Sequence, residues 1–409
     1  MTQIKPPQPP PTPQEMFERA KKVILYQDDV LRTLSLQLYY HLKLRFLYQQ
    51  LVYKAVEEGQ EPKAFWAQAD SDVLPPAISK APIFITGPTG SGKTHVIKQL
   101  CQMFGLNFLS VNSNQISNSG YKGTTLADLG GILVNKARPL TDERPYFADM
   151  EAQFSVIFFD EFDKLFLNTE GANLGVYQQA LVNELLTIFE GTSEFPVKED
   201  RSIASHHMLF ILGGSFNLHQ KAVKPTIGFT GENKPVDIPT DQLTLGKLGL
   251  PDELAGRIGQ ILTMKQLDDQ MLKDILLNSP TSPVATFKNR LAMEQCTLEV
   301  ADDLLETLLS QQQSAIDKFG VRGLYQGFNE LPQVQDVLFD AVGSPHHHYL
   351  LDLVGFSKEY REPVIEHIDE PSFEVELVNP SELPDWFTGK KPDKPQSKPI
   401  DDDYDDMPF

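Results

Sequence analysis

The feature that most constrains this chain is one eight-residue run: Gly87, Pro88, Thr89, Gly90, Ser91, Gly92, Lys93 and Thr94. It stands directly after the apolar triplet at 83–85 and directly before a helical pattern. Strand, glycine-rich turn, lysine and helix in that register build a phosphate-binding loop. The glycines let the backbone curl until its amides converge on phosphate oxygens, and the N-terminus of the following helix adds positive potential. Lys93 then reaches the outer phosphates, and Thr94 offers its hydroxyl to magnesium.

The surroundings of the loop predict the fold class. Between residues 81 and 262, short apolar runs at 83–85, 108–111, 156–159 and 208–212 alternate with helical patterns, the signature of an α/β fold with a parallel sheet flanked by helices. After residue 264 the pattern turns mostly helical, through 271–277, 298–309 and 323–338, which predicts a smaller second domain. The expected organisation is therefore a large α/β domain at 12–263 and a mostly helical domain at 264–378. A proline-rich lead occupies 1–11, with six prolines between Lys5 and Pro13 that leave little to pack. At the other end, 379–409 reads as a disordered linker with an acidic tip. Order begins at Thr12, Pro13 and Glu15, a capping-box start, and Leu31, Leu34, Leu38 and Leu42 continue with helical spacing.

The strand at 156–159 ends in Asp160 and Glu161. One strand end thus delivers two carboxylates, Asp160 to hold magnesium and Glu161 to orient and deprotonate an attacking water, the division of labour that phosphoryl transfer needs.

Composition narrows the field further. The chain has 409 residues, 41% of them hydrophobic, and a net charge of -20; the pI is near 4.8. That balance argues against direct nucleic-acid binding. Cys101 and Cys296 are the two cysteines, too few for a disulfide framework or a four-cysteine zinc module, and point to a reducing cytoplasm. No leader or membrane-spanning run is expected. The histidines at 346–348 read as a surface turn rather than a metal site, because adjacent loop side chains diverge.

Several separate motifs resemble the ClpX branch of the AAA+ ATPases, over about residues 12–338. They are TPQE at 12–15 with Val23, Ile24 and Gln27; LYYHLKLR at 38–45; FDEFDK at 159–164; YQQALVNELLTIFEG at 177–191; and LFILGGSF at 209–216. The resemblance implies ATP and Mg2+ as cofactors, and places Val23 and Ile24 beside the adenine. GLPDELAGRIG at 249–259 resembles the element that supplies an arginine finger to a neighbouring subunit, making Arg257 the candidate. GVRGL at 320–324 resembles the sensor-2 motif, making Arg322 the candidate phosphate contact. A finger acting across an interface requires a ring, and the family implies a homo-hexamer acting as a protein unfoldase on protein clients.

Further segments bear on what such a ring engages. Gly120, Tyr121, Lys122 and Gly123 resemble the family's pore loop, in which an aromatic on a mobile backbone grips polypeptide of any sequence. Ile227, Gly228 and Phe229 stand where the family carries the tip that docks a ClpP-type peptidase, or else form a local apolar clip. Asp405, Asp406, Met407, Pro408 and Phe409 end an acidic run resembling the tip of bacterial single-stranded-DNA-binding protein. Such a tip offers a ring and a free carboxylate to proteins that bind that tail, while a solubilising tail is the alternative.

There are departures too. Neither the family's zinc-binding N-terminal domain nor its basic tripeptide pore-entrance loop is expected here, and Ser215 and Asn217 are the polar candidates for sensor 1. A rival reading is an AAA+ DNA-metabolism factor, a loader or translocase. A third, a non-catalytic scaffold, is disfavoured by the intact Asp160 and Glu161 pair.

Overall fold

The computed structural model describes residues 6–59, 80–113, 116, 124–137, 150–167, 176–191, 194–197, 201–215, 242–247 and 250–361. The capping box forms as its residue types predict: Thr12 Oγ1 accepts from the Glu15 amide at 3.3 Å, and the Glu15 carboxylate accepts from the Thr12 amide at 2.8 Å. It starts α1 (Pro13–Lys21). A second, long helix, α2 (Asp28–Glu57), opens with Asp28 and Asp29, whose charges suit a helix N-terminus, and buries Leu31, Leu34, Leu38 and Leu42 along one face.

The α/β region follows in order: β1 (Ile83–Thr86), α3 (Lys93–Met103), β2 (Phe108–Asn112), α4 (Leu126–Ala137), β3 (Val156–Asp160), α5 (Lys164–Leu167), α6 (Val176–Phe189), β4 (Glu194–Val197), β5 (Arg201–Ala204), β6 (Leu209–Gly214), α7 (Gln242–Lys247), α8 (Asp252–Ala255) and β7 (Gln260–Thr263). Five strands form one parallel sheet in the order β2-β3-β6-β1-β7. Helices cover both faces, so the central strands are apolar at successive positions rather than alternating. Ile83 and Ile85 of β1, with Val156 and Phe158 of β3, pack under α1, α2 and α3. Phe84, Ile157 and Phe159 point the other way, into a core shared with α4 and α6. Burial of Phe158 and Phe159 is complete, contributing about 1.5–3 kcal/mol each relative to exposure.

Two elements of this region carry weak strand signals. Thr263 and its neighbours form β7 at the sheet edge, where residues are exposed or half-buried, so no apolar run marks it. The hairpin of β4 and β5 lies in a stretch whose polar residues mask the alternation.

The remaining residues comprise α9 (Asp269–Asn278), α10 (Pro283–Met293), β8 (Thr297–Val300), α11 (Asp302–Phe319), α12 (Val321–Asn329), α13 (Pro332–Ala341), β9 (His347–Leu351) and β10 (Phe356–Tyr360). They share a separate hydrophobic core. The expectation of a helix across 298–309 needs correction: Leu298 is the buried residue of β8, whose neighbours Thr297 and Glu299 are exposed, and the helix begins only at Asp302. That period of two belongs to a strand. It pairs with β9 in parallel, and β10 adds antiparallel. His347 and His348 therefore belong to a strand rather than a turn. His348 Nδ1 lies 2.8 Å from Thr297 Oγ1. Among the described residues no helix is long and apolar enough to cross a membrane.

Candidate active site

The carboxyl ends of β1, β2, β3 and β6 lie at one edge of the sheet, where ligands of parallel α/β folds bind. β1 leads into the phosphate loop and α3 leaves it, beginning at Lys93 with Gly92 as its cap. Lys93 is folded back onto that loop: its Nζ donates to the carbonyls of Gly87 at 2.8 Å and Pro88 at 2.9 Å. Burial pushes the Lys93 ammonium below its usual range, opposed chiefly by the nearby Asp160 and Asp163 carboxylates. Ser91 Oγ is buried with no hydrogen-bond partner, a donor left available within the loop. Such groups fit an incoming phosphate, which would accept where the loop carbonyls now do.

Beside the loop, Thr94 Oγ1 donates to Asp160 Oδ2 at 2.6 Å. Two hard oxygen ligands so close together, at the phosphate end of the cleft, fit a magnesium ion that completes its shell with water and phosphate oxygens. Glu161 follows in a left-handed backbone conformation, φ +56°, uncommon for a residue with a side chain and often found at functional sites. Its amide donates to Asp160 Oδ1 at 2.9 Å. Its carboxylate accepts from Asn112 Nδ2 at 3.4 Å and pairs with Lys164 Nζ at 2.5 Å.

Asn112 is a site residue that sequence reasoning missed, since it falls one position beyond the apolar run at 108–111. The register of β2 against β3 places it opposite Asp160; a polar residue terminating a strand next to an acid-terminated strand was the available signal. Asp163 is a second: buried, it accepts from the Ser215 amide at 3.1 Å, tying β3 to the end of β6. Ser215 lines the cleft, while Asn217 lies outside the described residues.

The cleft itself has a volume of about 440 Å³ and opens between the sheet edge and the helical residues. Its apolar wall is made by Val23, Ile24, Leu267 and Ile275, its polar floor by residues 89–94, Asp160 and Glu161. Arg322, at the start of α12, lines the same cleft and is close enough to Lys93 to depress its proton affinity. The turn before α12 rests on the phosphate loop: a Cβ at Gly90 would run into the Phe319 carbonyl oxygen, and one at Gly320 would lie 2.6 Å from the Gly90 carbonyl carbon. Both glycines have positive φ, +78° and +59°, so the contact requires their missing side chains twice over.

Arg257 is placed elsewhere. It follows α8, pairs with Glu190 at the end of α6, and does not line the cleft of its own chain. Tyr121, Lys122, Ile227, Gly228, Phe229 and residues 405–409 lie outside the described residues.

Comparison with known proteins agrees with this geometry. Residues 83–216 match the ATPase family associated with various cellular activities (AAA). The ATP-dependent Clp protease ATP-binding subunit ClpX of Treponema denticola is 28% identical over 357 residues, covering 81% of this chain and 77% of that protein. The ClpX subunit of Borrelia duttonii is 25% identical over 358 residues, 82% of this chain and 75% of its own length. ClpX 2 of Wolinella succinogenes is 26% identical over 337 residues, 78% and 76% respectively.

Proposed function

We propose that this chain, which carries an AAA-family ATPase domain and is similar to ClpX subunits, couples ATP hydrolysis to the unfolding or remodelling of protein clients as a homo-hexameric ring. The observation that carries the reading is the meeting of three parts of the chain on one cleft: the phosphate loop with Lys93, the acids that end β3, and Arg322 from the helical residues. A cleft built across two separately packed regions can convert a change at the phosphate into a change in their angle.

In this reading Thr94 and Asp160 would hold Mg2+, which would neutralise negative charge on the phosphate oxygens. Lys93 and the loop amides bind and orient the phosphates. Glu161, released from Asn112 and Lys164, takes the proton of the attacking water. Arg322 faces the phosphate from the same chain. Arg257, turned away from its own cleft, serves the cleft of the next subunit, which is why the active form is a ring.

Tyr121 and Lys122 then form the pore grip. Ile227, Gly228 and Phe229 dock a ClpP-type peptidase, and the tip at 405–409 attaches the ring to proteins that recognise the tail of single-stranded-DNA-binding protein. We place it in the cytoplasm.

The test is an ATP-dependent unfolding assay on a tagged fluorescent client, with and without a ClpP-type peptidase. Loss of client fluorescence with ATP, abolished by Tyr121→Ala while hydrolysis persists, supports the reading. ATP hydrolysis that single-stranded DNA stimulates and no client affects would favour a nucleic-acid machine instead.

A further inference from the structure

The segment between α1 and α2 walls the cleft through Val23 and Ile24, and it carries a backbone outlier. Tyr26 sits at φ +64°, a strained conformation for a bulky residue that persists only when its surroundings impose it. Its side chain reaches across to the helical side. The Tyr26 phenol donates to Asp274 Oδ2 on α9 at 2.5 Å. Asp274 is itself held by its own helix, its Oδ1 accepting from Asn278 Nδ2 at 2.6 Å.

The neighbours of Tyr26 reinforce the join. Gln27, only 4% exposed, grips the backbone of Lys265 at two points: its Nε2 donates to the carbonyl at 3.1 Å and its Oε1 accepts from the amide at 2.9 Å. Ser279 Oγ donates to the Val23 carbonyl at 3.5 Å. Ile275 and Ser279, which directly follow Asp274 and Asn278 in sequence, face the cleft together with Val23 and Ile24.

We propose that Tyr26 is a positioning residue for nucleotide binding: its bond to Asp274 latches α9 to the 22–27 loop and holds the two walls of the cleft at the separation that binds nucleotide. The latch joins two regions that each have their own hydrophobic core, and neither partner belongs to either core. Breaking it therefore leaves both cores packed and changes only how they face each other. When the binding-competent fraction falls, apparent affinity falls by the same factor. The bond touches no phosphate-binding group, so diphosphate and triphosphate lose affinity alike, whereas changes at Arg322 discriminate between them.

This inference rests on the cleft being the nucleotide site, and the two are tested separately. The full chain is titrated with fluorescent N-methylanthraniloyl ADP and ATP. Lys93→Ala tests the site itself, and undiminished binding there would overturn the cleft reading. For the latch, Tyr26→Phe and Asp274→Ala each weaken both nucleotides about fivefold, and the double variant is no weaker than either single one. The KM for ATP rises correspondingly while kcat at saturation stays within about twofold. Tyr26→Asn, which tolerates positive φ but lacks the phenol, weakens binding as Tyr26→Phe does, separating the latch from the backbone strain. The proposal is overturned by wild-type affinity in Tyr26→Phe, by additive effects in the double variant, or by wild-type binding in Tyr26→Asn.

Discussion

Thr94 Oγ1 donates to Asp160 Oδ2 across 2.6 Å, so the first turn of α3 and the end of β3 meet at one point although the sequence sets them far apart. In the proposed mechanism, phosphate binding and water activation are separable functions of the residues beside this pair. Lys93→Ala removes the cation that the loop carries, and Glu161→Gln removes the base while keeping shape. We expect Lys93→Ala to abolish nucleotide binding, and Glu161→Gln to retain it while slowing turnover about a hundredfold or more. Equilibrium binding beside steady-state hydrolysis measures both.

Arg257 pairs with Glu190 and does not line its own cleft; if it serves a neighbouring cleft in the proposed ring, subunits should complement one another. Arg257→Ala alone should lose about a hundredfold or more in kcat, as a missing arginine finger does, with nucleotide affinity largely kept. Mixing it with Glu161→Gln restores activity at interfaces where an intact Arg257 faces an intact Glu161. If the mixture is no more active than its parts, the arginine does not act in trans.

The seat of α12 on the phosphate loop depends on Gly90 and Gly320. Gly320→Ala forces a side chain into a backbone region that is essentially glycine's alone, φ +59° and ψ -140°, costing about 1–3 kcal/mol. It also presses a methyl group against Gly90. The expected result is a Tm lowered by several degrees together with weakened nucleotide binding, read by calorimetry with and without ATP.

A buried basic cluster at the opposite edge of the sheet sets a pH dependence. Lys80 Nζ donates to His41 Nδ1 at 2.7 Å and to the His207 carbonyl at 2.6 Å, and burial pulls its pKa down to about 7. His41, wholly buried, is also held well below the usual imidazole range, first by burial and then by Lys80. For Lys80 the folded pKa lies below the unfolded one, so between about pH 7 and the ordinary lysine range the unfolded chain binds more protons. Stability therefore rises with pH across that window. For His41, stability falls as pH drops below the ordinary histidine value. Urea midpoints from pH 6 to 10 should show the rise in the wild type and a flatter profile in Lys80→Met. Equal slopes would assign the dependence to other groups.

Much of the site was legible in one dimension because its chemistry is local. The run at 87–94 needs only a strand before it and a helix after it, and both follow from apolar periodicity; Asp160 and Glu161 similarly end an apolar run. The capping box at Thr12 and Glu15 is local for the same reason. The strands β7, β8, β9 and β10 were not legible, since edge and half-exposed strands lack continuous apolar stretches, and Leu298 reads equally well as the start of a helix.

By itself the sequence determined the phosphate loop, its acids, the α/β class and the cap that opens the first helix, because each depends on residues within a few positions of one another. Tertiary structure alone decided that Asn112 stands opposite Asp160, that Arg322 enters the cleft while Arg257 leaves it, and that Tyr26 reaches Asp274. Those relationships depend on strand register and on the packing of two separate cores, which no short stretch of chain encodes.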